Sequence, residues 1–481
     1  MNVKIIFRVV GLLMFVEGIA MLLALAVSLL YNDSDFMGFV LASGLNLSVG
    51  ALIILLTRKV NKDIGKREGF IIVTLVWIIF SLLGSLPYIF TGAIPSYTDA
   101  FFETMSGFTT TGSSILNDIE SMSHGILFWR SLTHWLGGMG IIVLSLAVLP
   151  IFGIGGMQLY VAEVPGPTPD KISPRIKQTA AAMWLIYLIL TVAKTILLWI
   201  GKMPLFDAVC HSFATMATGG FSTKQASIAF WPSPYIQYVI IAFMFMAGAN
   251  FTLTYFAIRG KFKPLLKDEE FKYYALITLG FTLLIFIGLL ITTNTGIEET
   301  FRNSLFWVVS IITTTGFGTV DYLLWQPVLI ALIFSVFFFG GSAGSTGGGI
   351  KIMRIVLLFK NGYYELKRMV HPNAVIPLKF NNHSVDSKIV TNVLAFFVIY
   401  FMIFGVSTII FMLFEPDLET SMGAVATSLG NIGPGLGSVG PAATFAHIHP
   451  VGKWFLAFLM LLRRLELFTI LVLFSPSFWK K

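Results

Sequence analysis

The sequence predicts an all-α polytopic membrane protein, with four repeats of span, re-entrant helix and span around one axis, preceded by two extra spans. Three observations carry that prediction. The chain is 56% hydrophobic and only 12% charged over 481 residues, whereas soluble domains carry about 25% charged residues. Apolar stretches of membrane-crossing length, roughly 20 residues, recur along the whole length. Four of the connections between them follow one recipe, and internal repetition of that kind governs the fold.

Full spans are expected near 4–30, 37–57, 69–91, 127–150, 180–200, 234–258, 272–293, 326–346, 390–413 and 452–474. The first run follows Lys4 and Arg8 and holds "ALA" at 24–26, in imitation of a signal peptide. It exceeds a 7–15-residue signal core and a second span follows almost at once, so it reads as a span. The net charge of +8 does not point to nucleic acid, because the cations sit in short connections. Segments 58–68, 259–272 and 351–388 are basic, whereas 31–36, 91–126 and 414–451 contain no Lys or Arg. The positive-inside rule then makes the basic set and both termini cytoplasmic. A lone cysteine, Cys210, excludes an intrachain disulfide.

The four related connections are "DAFFETMSGFTTTGSS" (99–114), "DAVCHSFATMATGGFS" (207–222), "NSLFWVVSIITTTGFG" (303–318) and "TSMGAVATSLGNIGPG" (420–435). Aligned without gaps they superpose Gly112, Gly220, Gly316 and Gly433, at intervals of 108, 96 and 117 residues. Asp99, Asp207, Asn303 and Thr420 fall together at the start, where an N-cap belongs. The expected units are two spans (1–68) and four repeats (69–178, 179–271, 272–388 and 389–481). Irregular backbone at membrane depth is tolerated only where protein encloses it or where it lines a water-filled cavity. Four such segments converging on one axis would offer carbonyl oxygens in place of a cation's hydration shell, and the short helices would point their negative C-terminal ends there.

"TTTGSS", "ATGGFS", "TTTGFG" and "NIGPG" resemble the four divergent filter segments of the Trk/Ktr/HKT superfamily of cation transporters, and the likeness extends over nearly the whole chain. The resemblance implies potassium uptake in a bacterial inner membrane through a pseudo-fourfold pore, and a homodimer carrying a cytoplasmic TrkA-like nucleotide-binding ring. The transported K⁺ is the only cofactor implied. The ion would sit among Thr109, Thr110, Thr111 and Gly112; Ala217, Thr218, Gly219 and Gly220; Thr313, Thr314, Thr315 and Gly316; and Gly430, Asn431, Ile432 and Gly433. Asn431 and Pro434 make the fourth segment the odd one.

"FFFGGSAGSTGGGIKIMR" (337–354) fails as a phosphate-binding loop because Lys351 falls one place late and Ile352 follows it. "GLGSVG" (435–440) fits a dinucleotide fingerprint only literally, with no strand before it. The 340–349 stretch reads either as a close helix contact through small residues or, by the resemblance, as an intramembrane gate. That gate comprises Gly340, Gly341, Gly344, Ser345, Thr346, Gly347, Gly348 and Gly349, with Lys351 at its end.

Arg463, Arg464 and Glu466 fall near the middle of the last expected span, where a charge costs from about 3 to over 10 kcal/mol. Arg463 and Glu466 are three apart and can pair on one helix face. By the resemblance Arg464 faces the pore as an electrostatic barrier, and the family usually has glycine at the place of Arg463. Asp321 stands where an acid would gather cations at the outer mouth, with Lys224 or Arg302 as possible partners. The seven histidines are scattered and suggest no metal site. A K⁺/H⁺ or K⁺/Na⁺ symporter is the alternative, with Glu466 and Glu103 as candidate carriers, and no intramembrane catalytic pair suggests an enzyme.

Overall fold

The structure is a computed structural model that describes residues 2–58, 65–140, 176–374 and 376–480, most of them helical. Six helices among the described residues are long and apolar enough to cross a membrane: Val3–Leu30, Phe36–Leu56, Arg67–Phe90, Ala181–Ile200, Glu269–Thr292 and Ser387–Phe411. The first two pack closely through glycine. A methyl group on Gly50 would press on the backbone of Gly11 and Phe15, and one on Gly18 would press on Leu47. Small residues at such a seam let two helix backbones approach where lipid offers no hydrophobic drive.

Three of the four expected spans that follow the glycine segments are interrupted rather than continuous among the described residues. Pro234–Gly248 and Phe251–Ile258 meet at a 116° bend, where Asn250 caps the second piece by accepting from Thr252 N at 2.7 Å. Pro327–Val336 ends after 10 residues and non-helical chain leads to Ile352–Val370. Pro450–Arg464 gives way to Phe468–Leu471 through Glu466 and Leu467, both at positive φ. His124–Gly138 is the described part of 127–150; its remainder, 141–150, lies outside the described residues, as does 59–64 of the first basic connection. Fifteen residues rise about 22 Å, short of a hydrocarbon core of about 30 Å.

Between spans lie the four short helices Tyr97–Phe108, Leu205–Met216, Ile297–Ile312 and Leu418–Gly430. They begin earlier than the repeat alignment suggests, with N-caps at Ser96, Pro204, Gly296 and Asp417 in place of Asp99, Asp207, Asn303 and Thr420. Ser96 and Asp417 accept from the backbone three residues on, at 3.4 and 2.9 Å. The residues expected as caps tie the helices to later chain instead. Asp99 pairs with Lys453 at 2.5 Å. Asp207 accepts from Thr223 at 2.6 Å and Asn303 from Thr319 at 3.1 Å, the same 16-residue spacing in two repeats.

A buried ion pair in the first repeat anchors a contact to the second. Arg130 Nε lies 2.6 Å from Glu103 Oε1, with both side chains almost fully buried. The same guanidinium donates to the Ser222 carbonyl at 2.7 Å and stacks 3.7 Å over Phe221. Glu103 also accepts from Ser114 Oγ and Ile115 N, at 3.0 and 2.9 Å. Glu103→Ala strands that cation and is expected to lower stability by about 3–5 kcal/mol, read as a lower thermal transition of the detergent-solubilised protein.

Candidate functional site

Every short helix ends in the same turn. Thr110, Thr218, Thr314 and Asn431, which align in the repeat, take left-handed conformations with φ of 57°, 55°, 58° and 53°. The next residue's amide reaches back five places: Thr111 to Ser106, Gly219 to Ala214, Thr315 to Ser310 and Ile432 to Thr427, at 2.8 to 3.1 Å. That bond satisfies a last-turn carbonyl in the manner of a Schellman cap. Asparagine accepts this conformation readily, whereas a β-branched residue there is a true outlier and stores about 1–3 kcal/mol of strain. Sequence reasoning missed this, because nothing in threonine's composition advertises a left-handed backbone.

Two residues further on, Gly112, Gly220, Gly316 and Gly433 are again at positive φ, 85°, 80°, 81° and 107°. Here only glycine fits. A methyl on Gly112 would overlap the Gly219 carbonyl, one on Gly220 that of Thr315, and one on Gly316 that of Ile432. A methyl on Gly433 would lie 3.0 Å from the Thr111 carbonyl. Each glycine thus abuts the next segment, and the fourth returns to the first. All four glycines line one cavity, with Ser113, Phe221 and Pro434. Asn431 Nδ2 ties the fourth segment to the first, donating to Thr111 Oγ1 at 2.7 Å and to the Thr109 carbonyl at 3.2 Å.

The 340–349 stretch is non-helical and reaches under this ring. Gly348 N donates to Thr314 Oγ1 at 2.6 Å, and Gly349 N to the Gly430 carbonyl at 2.8 Å. Thr346 Oγ1 donates to the Met216 carbonyl at 3.0 Å. Lys351 Nζ folds back on the Gly347 carbonyl at 2.5 Å and lies 3.4 Å from Ser345 Oγ. Gly340 N donates to the Ile350 carbonyl, closing the neck of the loop, and Gly344 has φ of 73°. The Gly341 amide carbonyl receives Ile352 N at 3.3 Å.

Arg464 completes the set. Its guanidinium donates to Thr110 Oγ1 and the Thr346 carbonyl, both at 3.3 Å, and to the carbonyls of Gly137 and Gly138. It also lies 5.3 Å over the Trp77 ring, within cation–π range. Arg464 and the loop together therefore touch all four segments.

Arg463 turns elsewhere. It is 2% exposed, with Nη1 3.5 Å from Glu466 Oε1, and its Nε and Nη2 have no hydrogen-bond partner among the described residues. Glu466 stands 2.6 Å from Arg354 as well. The expected Arg463–Glu466 pair forms, but across the unwound end of the helix rather than along one helical face, because Glu466 sits at φ 58°. Asp321 is not among the residues lining the cavity; it caps a 3₁₀ turn by accepting from Leu323 N at 2.9 Å. Neither proposed partner joins it: Arg302 pairs with Glu298 at 2.9 Å, and Lys224 lies 4.9 Å over Phe230.

Glu270 also escaped sequence reasoning. Its Oε1 accepts from Ala343 N at 2.8 Å and Met353 N at 3.0 Å, latching both ends of the loop. The signal available was weak, an acid in the first turn of a span. Bonds to a charged group contribute about 1.5–3 kcal/mol each. Glu270→Ala is therefore expected to speed amide exchange at Ala343 and Met353 at least tenfold, measured by hydrogen–deuterium exchange.

The sequence matches the family model described as TrkH, cation transport protein, over residues 36–481. The Trk system potassium uptake proteins TrkH of Salmonella typhimurium and of Escherichia coli (strain K12) are each 43% identical over 487 residues, and the alignment covers all of both chains. The Escherichia coli protein TrkG is 33% identical over 484 residues, covering 100% of this chain and 99% of that one. The crystal structure of the potassium transporter TrkH from Vibrio parahaemolyticus superposes with a TM-score of 0.90 at 39% identity, with full coverage of both chains. The chain belongs to the TrkH family of cation transport proteins and is a transporter rather than an enzyme.

Proposed function

We propose that the chain takes up potassium through a channel-like, pseudo-fourfold pore whose filter is the ring of glycine segments. The observation that carries the reading is the closed cycle in which each filter glycine abuts the next segment's carbonyl while all four line one cavity. A dehydrated cation needs such a cage of carbonyl oxygens. The negative ends of four helices add to its attraction. The relatives named for potassium uptake support K⁺ as the ion.

In this reading the 340–349 loop and Arg464 form the gate beneath the filter. Two unit charges 4 Å apart repel by about 4 kcal/mol at an effective dielectric of 20, so Arg464 opposes a passing cation until the loop moves. The protein sits in a bacterial inner membrane with both termini cytoplasmic, pairs as a homodimer, and presents its basic face to a TrkA-like ring. Rubidium-86 uptake into proteoliposomes, with K⁺, Na⁺ and Li⁺ as competitors, tests the filter. Uptake is expected to be blocked by K⁺ and not by Na⁺, to vanish in Gly316→Ser and to rise several-fold in Arg464→Ala. Equal block by Na⁺ contradicts the reading.

The symport alternative loses both of its expected carriers, since Glu103 and Glu466 are held in ion pairs. One observation speaks for it. Glu17, in the first span, is 1% exposed with both carboxylate oxygens unbonded among the described residues. Under the channel reading Glu17→Gln leaves the pH profile of uptake unchanged; a flattened profile in that variant supports proton coupling.

A further inference from the structure

We propose that the groove between Glu269–Thr292 and Ile352–Val370 binds one anionic phospholipid, with its headgroup on a lysine cluster and its acyl chains along an apolar trough. Two adjoining cavities make up the site. One is lined by Lys267, Lys272, Lys360 and Lys379. The other, walled by Ile277, Phe281 and Phe359 among others, contains almost no polar surface. Tyr273 and Lys360 line both, so the two are continuous.

The charge balance favours an anion. Glu269 is taken up by Lys360, and Asp268 accepts from Asn381 Nδ2 at 2.9 Å. Lys267, Lys272 and Lys379 are exposed. Three lysines unpaired among the described residues, against the single carboxylate of Asp268, leave the polar end with a net positive charge. The trough has the length of an acyl chain: Lys272 to Leu284 is 12 residues, about 18 Å along the helix, close to half of a 30 Å core. Its walls are open, with Phe359 70% and Leu284 55% exposed. A side chain at Gly280 would meet nothing within 4 Å. Basic pockets between spans on the cytoplasmic side bind anionic lipid headgroups. The lysines belong to the basic connections 259–272 and 351–388, which are cytoplasmic under the positive-inside rule.

Native mass spectrometry of the full chain in detergent, titrated with phosphatidylglycerol, phosphatidylcholine or glycerol 3-phosphate, tests this. Phosphatidylglycerol is expected to bind at least tenfold more tightly than phosphatidylcholine, and glycerol 3-phosphate far more weakly than either. Replacing Lys267, Lys272 and Lys379 together by Gln should weaken phosphatidylglycerol roughly a hundredfold. Gly280→Leu, a change that suits a helix, should weaken both lipids by filling the trough. Equal binding of the two lipids overturns the proposal. So does glycerol 3-phosphate binding as tightly as the lipid, which would mark a free-phosphate site. A change of oligomeric state in Gly280→Leu with lipid binding intact also overturns it, since the groove would then be an interface between copies.

Discussion

A backbone that leaves the helix inside a bilayer has no lipid partner to bond, so every freed amide and carbonyl must find one within the protein or in a water-filled cavity. The rest of this structure depends on meeting that demand at one level of the fold. Four helix ends close on themselves through five-residue back-bonds. The loop beneath them gives its amides to Thr314, Gly430 and Glu270, and the Arg464 guanidinium takes up carbonyls at the end of His124–Gly138 and in the loop. Breaking three of the spans after the glycine segments exposes polar backbone, and these pieces consume much of it.

The same arrangement links local strain to the proposed activity. Threonine is held left-handed at three helix ends because the following two residues must swing toward the ring, and the glycines then admit the neighbouring carbonyls at a distance no side chain permits. Thr314 and Thr110 of the left-handed row bond the loop and Arg464, while the glycine row lines the cavity. A movement of the loop therefore acts directly on the inner edge of the proposed filter. Lys351 and Glu270 bracket the loop chemically, one folding onto its carbonyls and the other gripping its amides.

Much of this was legible in the residues. The uninterrupted spans follow from hydropathy, and the repeat follows from four glycines in register. The 340–349 segment stands out because all ten of its residues are glycine, serine, alanine or threonine, small enough to leave a helix without a penalty in side-chain packing. Less legible were the interruptions at 248–250, where apolar and small residues keep the hydropathy high, and at 465–467, where the charges of Arg463, Arg464 and Glu466 suggest a paired helix face as readily as a break. The caps were misplaced by three residues at three helices and by seven at the third, since Asp99 and Asp207 resemble caps in type, while the observed N-cap positions include a proline and a glycine. Arg463 stands where the family usually has glycine. Its direction depends on the unwound chain at Glu466, which no helical wheel anticipates.

The central claim is that the four segments form a cation cage. Anomalous diffraction from crystals grown with rubidium in place of potassium tests it most directly. The account predicts density on the axis among the carbonyls of Thr111, Gly219, Thr315 and Ile432. Ordered crystals with rubidium bound elsewhere, and none within that ring, would contradict it.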